Sequence, residues 1–242
     1  MESVTTSIDE RVALVRFDRR GKANALDSSL IDALEAEARK LARNPDVDVV
    51  VLTGTHEIFA AGVDLRDDAL WQPGAPDVAR HLAMNAGGRM SEAWRRMPQP
   101  VLAAIEGPAI GGGAILALCA DFRVMAENSY LRFPEVRLGM TLGWGGLALL
   151  TERVGSVQAK RILFDDARLD AQAALAMGLC ERIAPPGESV AHALAWARSL
   201  AGVPALGLRM TKAAIDAHSR RNWAEGGEAD QFMLARLSGE GR

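Results

Sequence analysis

The chain has 242 residues, 25.9 kDa and 28 basic against 31 acidic side chains, a net charge of −3. With 49% apolar and 24% charged residues it has the make-up of an ordinary globular protein, with one large domain or one domain and a small appendage. There is no basic face for nucleic acid, no apolar stretch long enough for a bilayer and no disulfide framework; Cys119 and Cys180 both lie in apolar segments and fit a reduced cytoplasm. Residues 1–9 carry acids and threonines where a signal peptide would have a basic start, so a cytoplasmic protein without membrane or nucleic-acid partners is expected.

In chain order, residues 12–17 (VALVRF) predict a strand. Asp27 is placed to cap a helix with Leu30, Leu34, Ala38 and Leu41 on one face, and Asn44 and Pro45 end it. Residues 47–52 (VDVVVL) predict a strand buried on both faces. A helical segment follows through His81, Met84 and Trp94, stopped by MPQP at 97–100. Residues 101–105 (VLAAI) predict a third strand, leading through glycines into a helix over 112–120. Beyond Glu135 the pattern is mainly helical: 145–154, 157–164, 171–177, 188–200, 204–218 and 223–237. Alternation followed by helices predicts an α/β core over 1–184 and a helical region over 185–242.

The familiar chemical motifs are absent. The run at 111–116 (GGGAIL) has Leu116 where a dinucleotide fingerprint needs its last glycine, and His56-Glu57 lacks a second histidine because position 60 is alanine. No P-loop and no GxSxG elbow occur. Two glycine-containing turns remain, FAAGVDL at 59–65 and GPAIGGG at 107–113, each following a strand. Each alone fits close packing as well as ligand approach; the second also offers amides at a helix N-terminus, where negative charge is favoured.

Together the two turns are specific. With KANAL at 22–26, CAD at 119–121, FPEVRLG at 133–139, GWGG at 143–146, AQAALAMG at 171–178 and PALGLRMTK at 204–212, the chain resembles the crotonase (enoyl-CoA hydratase/isomerase) superfamily over residues 12–238. The resemblance implies a spiral of ββα units, a C-terminal helical trimerisation region giving homotrimers or dimers of trimers, and an acyl-CoA or enoyl-CoA thioester substrate. It implies no cofactor, coenzyme A being part of the substrate. By family position, the amides of Val63 and Gly112 form an oxyanion hole, where one lost donor typically costs ~10²-fold or more in rate. Gly111, in the same turn, is expected to contact the coenzyme portion of the substrate. Ala23, Ala61, Asp64 and Leu65 match positions along the coenzyme path, and Lys22 and Arg66 stand where cations meet its phosphates or are simply solvated.

Hydratases of this family use two glutamates. The first falls at Ile115 here, which can neither accept a proton nor orient water; the second is present as Glu135. One glutamate is what the family's Δ3-Δ2-enoyl-CoA isomerases use, so isomerisation is expected first. A hydratase or other acyl-CoA reaction with a different second acid, and a non-catalytic acyl-CoA binder, are the alternatives. Trp144 and Met140 fit either an acyl wall or ordinary core and trimer contacts. His81 is read as a helix residue, Glu106 as structural and Asp121 as capping or pairing locally. Relatives usually continue past the match with residues that help cover the nucleotide; no such C-terminal contact is expected here.

Overall fold

The computed structural model describes residues 3–19 and 21–219. The chain opens with a hairpin of β1 (Val4–Asp9) and β2 (Val12–Phe17), turned by Glu10 and Arg11, both with positive φ, the geometry that suits strand twist in a two-residue turn. Asp27 accepts the Leu30 N–H at 2.8 Å and starts α1 (Ser28–Ala42), which buries Leu30, Ile31, Leu34, Ala38 and Leu41 as the spacing predicts. The second apolar run becomes β3 (Val49–Thr53), starting two residues late because Asp48 turns to Arg11 (Nε–Oδ2 2.5 Å).

A short α2 (Asp68–Trp71) precedes α3 (Asp77–Met84) and α4 (Ala86–Arg95). The sequence predicts one helix here; the structure has two, meeting at Asn85 ahead of the poor helix formers Gly87 and Gly88. Next come β4 (Val101–Ile105), β5 (Pro108–Ile110) and α5 (Gly112–Leu118), then β6 (Phe122–Ala126), β7 (Tyr130–Arg132) and a 3-10 turn, Glu135–Leu138. α6 (Gly146–Asp165) is interrupted at Gly155 (φ 73°, ψ 162°), between the two predicted helices. β8 (Leu169–Asp170), α7 (Ala171–Ala176), β9 (Arg182–Ala184), α8 (Ser189–Ala201) and α9 (Ala205–Ser219) complete the described chain. The helix predicted over 223–237 lies outside the described residues.

The large sheet runs β1-β2-β3-β4-β6-β9, parallel except for the opening hairpin, and a small sheet runs β5-β7-β8. The unit of strand, short strand and helix is explicit in β4-β5-α5 and recurs as β6-β7 followed by the 3-10 turn and α6. Side-chain alternation explains why β3 is apolar throughout: Val49 and Val51 face α8 across Ala193 and Ala197, while Val50 and Leu52 face the main core with α1 and α5. Glu106 accepts the N–H groups of Gly187 (3.0 Å) and Ser189 (2.9 Å), holding the start of α8 on the sheet. Asp121 pairs across the fold rather than locally, accepting the Val101 N–H at 2.7 Å and Lys212 Nζ of α9 at 2.5 Å.

Candidate active site

The 59–65 turn is laid down by backbone register. Phe59 and Ala60 both donate to the Pro108 carbonyl at 3.1 Å, and Ile110 donates to the Ala60 carbonyl at 2.9 Å. On the other side Ala61 donates to Ala23 (3.1 Å), Leu26 to Gly62 (2.7 Å), and Asp64 to Leu26 (2.9 Å). Leu26 and Val63 therefore form a parallel bridge, in which Leu26 uses the carbonyl before and the amide after Val63. The amide of Val63 itself points to the opposite side. It has no acceptor among the described residues. Gly113 permits this close approach, since a methyl there would lie 2.6 Å from Ala60 Cβ.

The second turn meets the first. Gly111 donates to the Arg132 carbonyl at 2.8 Å and then adopts φ 52°, ψ −122°, a conformation that suits glycine. Gly112 opens α5, so its N–H has no intrahelical acceptor, and none lies among the described residues. A methyl on Gly112 would lie 3.2 Å from Val63 Cγ2, so the two residues with free amides stand side by side.

Glu135 closes the site from the third side. It begins the 3-10 turn after Pro134 and is 8% exposed. Its Oε1 lies 2.9 Å from the point where a Gly111 Cβ would stand, and Oε2 is buried with no hydrogen-bond partner. Burial pushes its carboxyl up to about 7, its own backbone N–H works against this, and the charge of Asp166 adds to the rise. Asp166 is held by Arg132 (Nε–Oδ1 2.9 Å) and is itself kept below the usual carboxylate range by that guanidinium. Ile115 supplies no second acid: a methyl on Gly146 would lie 2.8 Å from its Cγ1 and 3.0 Å from Leu142 Cγ, so the position is packed apolar wall.

The approach is framed by two residues that sequence reasoning missed. Arg19 bonds Asp27 (Nε–Oδ2 2.9 Å) and Asp64 (Nη1–Oδ2 2.6 Å), tying the start of α1 to the residue after Val63. Buried Asn24, at φ 51°, accepts the Arg19 N–H at 2.7 Å and donates to the Phe17 and Phe59 carbonyls, both at 3.2 Å. Asn24 lies inside KANAL, the one sequence hint for it, while Arg19 lies outside that motif. The Asp64 carboxylate thus faces Arg19 and the Arg66 N–H (2.9 Å); that N–H, then Arg19, holds it below the usual carboxylate range. Ala23 and Ala61 meet through their backbones, while Lys22, Leu65 and Arg66 are exposed.

Comparisons with known proteins give the family. A family model described as enoyl-CoA hydratase/isomerase matches residues 7–240. The chain is 35% identical over 198 residues to a probable enoyl-CoA hydratase, echA17, of Mycobacterium avium, covering 82% of this chain and 76% of that one. Among solved structures, an enoyl-CoA hydratase from Bacillus anthracis superposes with a TM-score of 0.83 at 28% identity, over 99% of this chain and 90% of that one. The Pseudomonas aeruginosa protein DspI gives a TM-score of 0.83 at 28% identity, over 92% and 88%. Two free main-chain amides beside a buried glutamate, on this spiral and with these relatives, lead to one assignment: the chain is a crotonase-fold member of the enoyl-CoA hydratase/isomerase family.

Proposed function

We propose that the chain is an enoyl-CoA isomerase, moving a double bond from the 3 to the 2 position through an enolate. The observation that carries this reading is the lone carboxyl of Glu135, buried with a free oxygen and raised to about 7, while Ile115 stands packed in apolar surroundings where hydratases of the family place their first glutamate. The thioester oxygen accepts the amides of Val63 and Gly112, which stabilise the negative charge as it develops. Glu135 takes the proton from C2, and the electrons of the broken C–H bond delocalise into the thioester as an enolate; the C3–C4 π electrons then take the same proton at C4 while the enolate electrons return to form the C2–C3 double bond and the thioester carbonyl. One carboxylate is base in the first half and acid in the second, and its raised pKa brings it towards the acidity of its partner. A hydratase would need a second group to hold its water, and Ile115 does not provide one.

Coenzyme A enters as part of the substrate, and no metal or redox group takes part. Lys22 and Arg66, both exposed, are offered to its phosphates, with Ala23, Ala61 and Leu65 along the way. Assembly as a homotrimer or a dimer of trimers is supported by α9, whose Leu206, Met210 and Ile215 are 60–70% exposed. Cytoplasmic placement is supported by the two free, buried cysteines.

The test is turnover of 3-hexenoyl-CoA, followed by the absorbance of the conjugated 2-enoyl thioester. The expected result is growth of that signal, abolished in Glu135→Gln while hexanoyl-CoA binding persists. A fully active Glu135→Gln, or hydration of 2-enoyl-CoA without isomerisation, overturns the assignment.

A further inference from the structure

A side chain with no part in the proton transfer stands against Gly112, one of the two residues with a free amide. Trp144 sits between Gly143 and Gly145 with φ 57°, a left-handed backbone that a bulky residue rarely adopts. Its indole occupies a slot made by two glycines on different helices. On Gly87 of α4 a methyl would coincide with the ring at Cε2, Cζ2 and Cδ2. On Gly112 of α5 a methyl would lie 2.5 Å from Cζ3 and 3.0 Å from Cη2. The ring therefore spans from α4 to α5, its fused bond on one helix and its benzo edge on the other, beside Val63.

Its position relative to the reacting carbonyl follows from helix geometry. Cα–Cβ bonds tilt towards the helix N-terminus, so a group filling the Cβ position of Gly112 lies next to the free amides at the start of α5. A carbonyl held by those amides is therefore beside the indole, which stands between Gly112 and Gly87 of α4. Both walls of the slot lack side chains at Gly87 and Gly112, so the ring alone fills it.

We propose that Trp144 is the specificity-determining residue of this site: its indole closes the slot between Gly87 and Gly112, and the protein accordingly selects short acyl thioesters over long ones. The inference rests on the acyl-CoA reading above and adds the chain length to it. In the protein without this ring, the slot becomes a channel between α4 and α5 in which the distal methylenes of a long acyl group lose their contact with water.

Calorimetric titration of hexanoyl-CoA and decanoyl-CoA into the full-length protein, Trp144→Phe and Trp144→Ala tests this without depending on turnover. The expected result is a preference for hexanoyl-CoA of about tenfold or more in the parent protein, which is within what a few misplaced methylenes supply. Trp144→Ala is expected to shift the ratio about tenfold or more towards decanoyl-CoA, with Trp144→Phe between them. A ring that only supported the fold would weaken both ligands alike and leave the ratio unchanged, which overturns the proposal, as does a parent protein that prefers decanoyl-CoA. If Trp144→Ala does not fold, Trp144→Phe decides by whether its ratio moves the same way. Failure of a folded parent protein to bind either thioester removes the acyl-CoA reading itself, an outcome distinct from an unchanged ratio.

Discussion

Titrating stability against pH isolates Glu135. In the folded chain its carboxyl is raised from an ordinary 4.5 to about 7 by burial. Between those values the folded protein holds a proton that the unfolded chain has released, so the folded state is favoured at the acid end. The contribution is fully present below about 4.5 and is lost as pH rises through about 7. At ~1.4 kcal/mol for each tenfold change in proton affinity, the loss amounts to roughly 3 kcal/mol. Glu135→Gln cannot release a proton and escapes this loss, while every other titrating group is common to both proteins. Urea melts of the two proteins from pH 5 to pH 8 are therefore expected to diverge, the variant gaining roughly 2.5 kcal/mol on the parent, or about 5–10 °C in Tm for a chain of this length. Turnover moves the opposite way: the base must be ionised, so kcat/KM of the parent climbs through about 7 and then levels. Parallel stability curves for parent and variant would refute the claim that the carboxyl is buried without compensation.

Two further substitutions probe how the turns are held. Asn24→Ala removes one acceptor and two donors that join Arg19, Phe17 and Phe59, and is expected to lower unfolding stability by about 3 kcal/mol in denaturant melts; a loss below about 0.5 kcal/mol would show that water replaces these bonds. Gly111→Ala places a methyl 2.9 Å from Glu135 Oε1 on a backbone of φ 52°. It should cost about 1–3 kcal/mol in stability and on the order of 10² in kcat through a displaced carboxyl, read by turnover beside far-UV circular dichroism.

Periodicity finds elements that bury a wide face and misses those that do not. The strands at 12–17 and 101–105 and the capped helix α1 are legible because their apolar residues repeat on a fixed period. β1 is invisible for the converse reason: it is an edge strand, largely exposed, with two threonines and a serine between Val4 and Ile8 and no buried face to show a period. β5, β7 and β8 have two or three residues each, too few for a period to show, and their pairing depends on chain distant in sequence. At the site, Val63, Gly112 and Glu135 were reachable through the family pattern, and the missing first glutamate at Ile115 through the same alignment of motifs. Arg19 and Asn24 were not, because an exposed-looking arginine and a loop asparagine acquire their roles only when three separate backbone segments converge on them. The break at Asn85 was hidden because the apolar positions on both sides continue without a change of phase, while the fold needs Gly87 where the Trp144 ring arrives.

The bridge between Leu26 and Val63 makes the active amide a matter of counting. What selects Val63 is parity: Leu26 engages Gly62 and Asp64, so the residue between them is turned away and left to the ligand. Any side chain that fits the space can occupy that position without altering the donor. Deleting one residue between 59 and 63 would instead hand the outward amide to a neighbour, even with the glutamate and both glycine turns retained. At position 63 a substitution that fits the space is therefore cheap, whereas a shift of a single residue within the turn is ruinous: the count of residues, more than the side chain on Val63, preserves the donor.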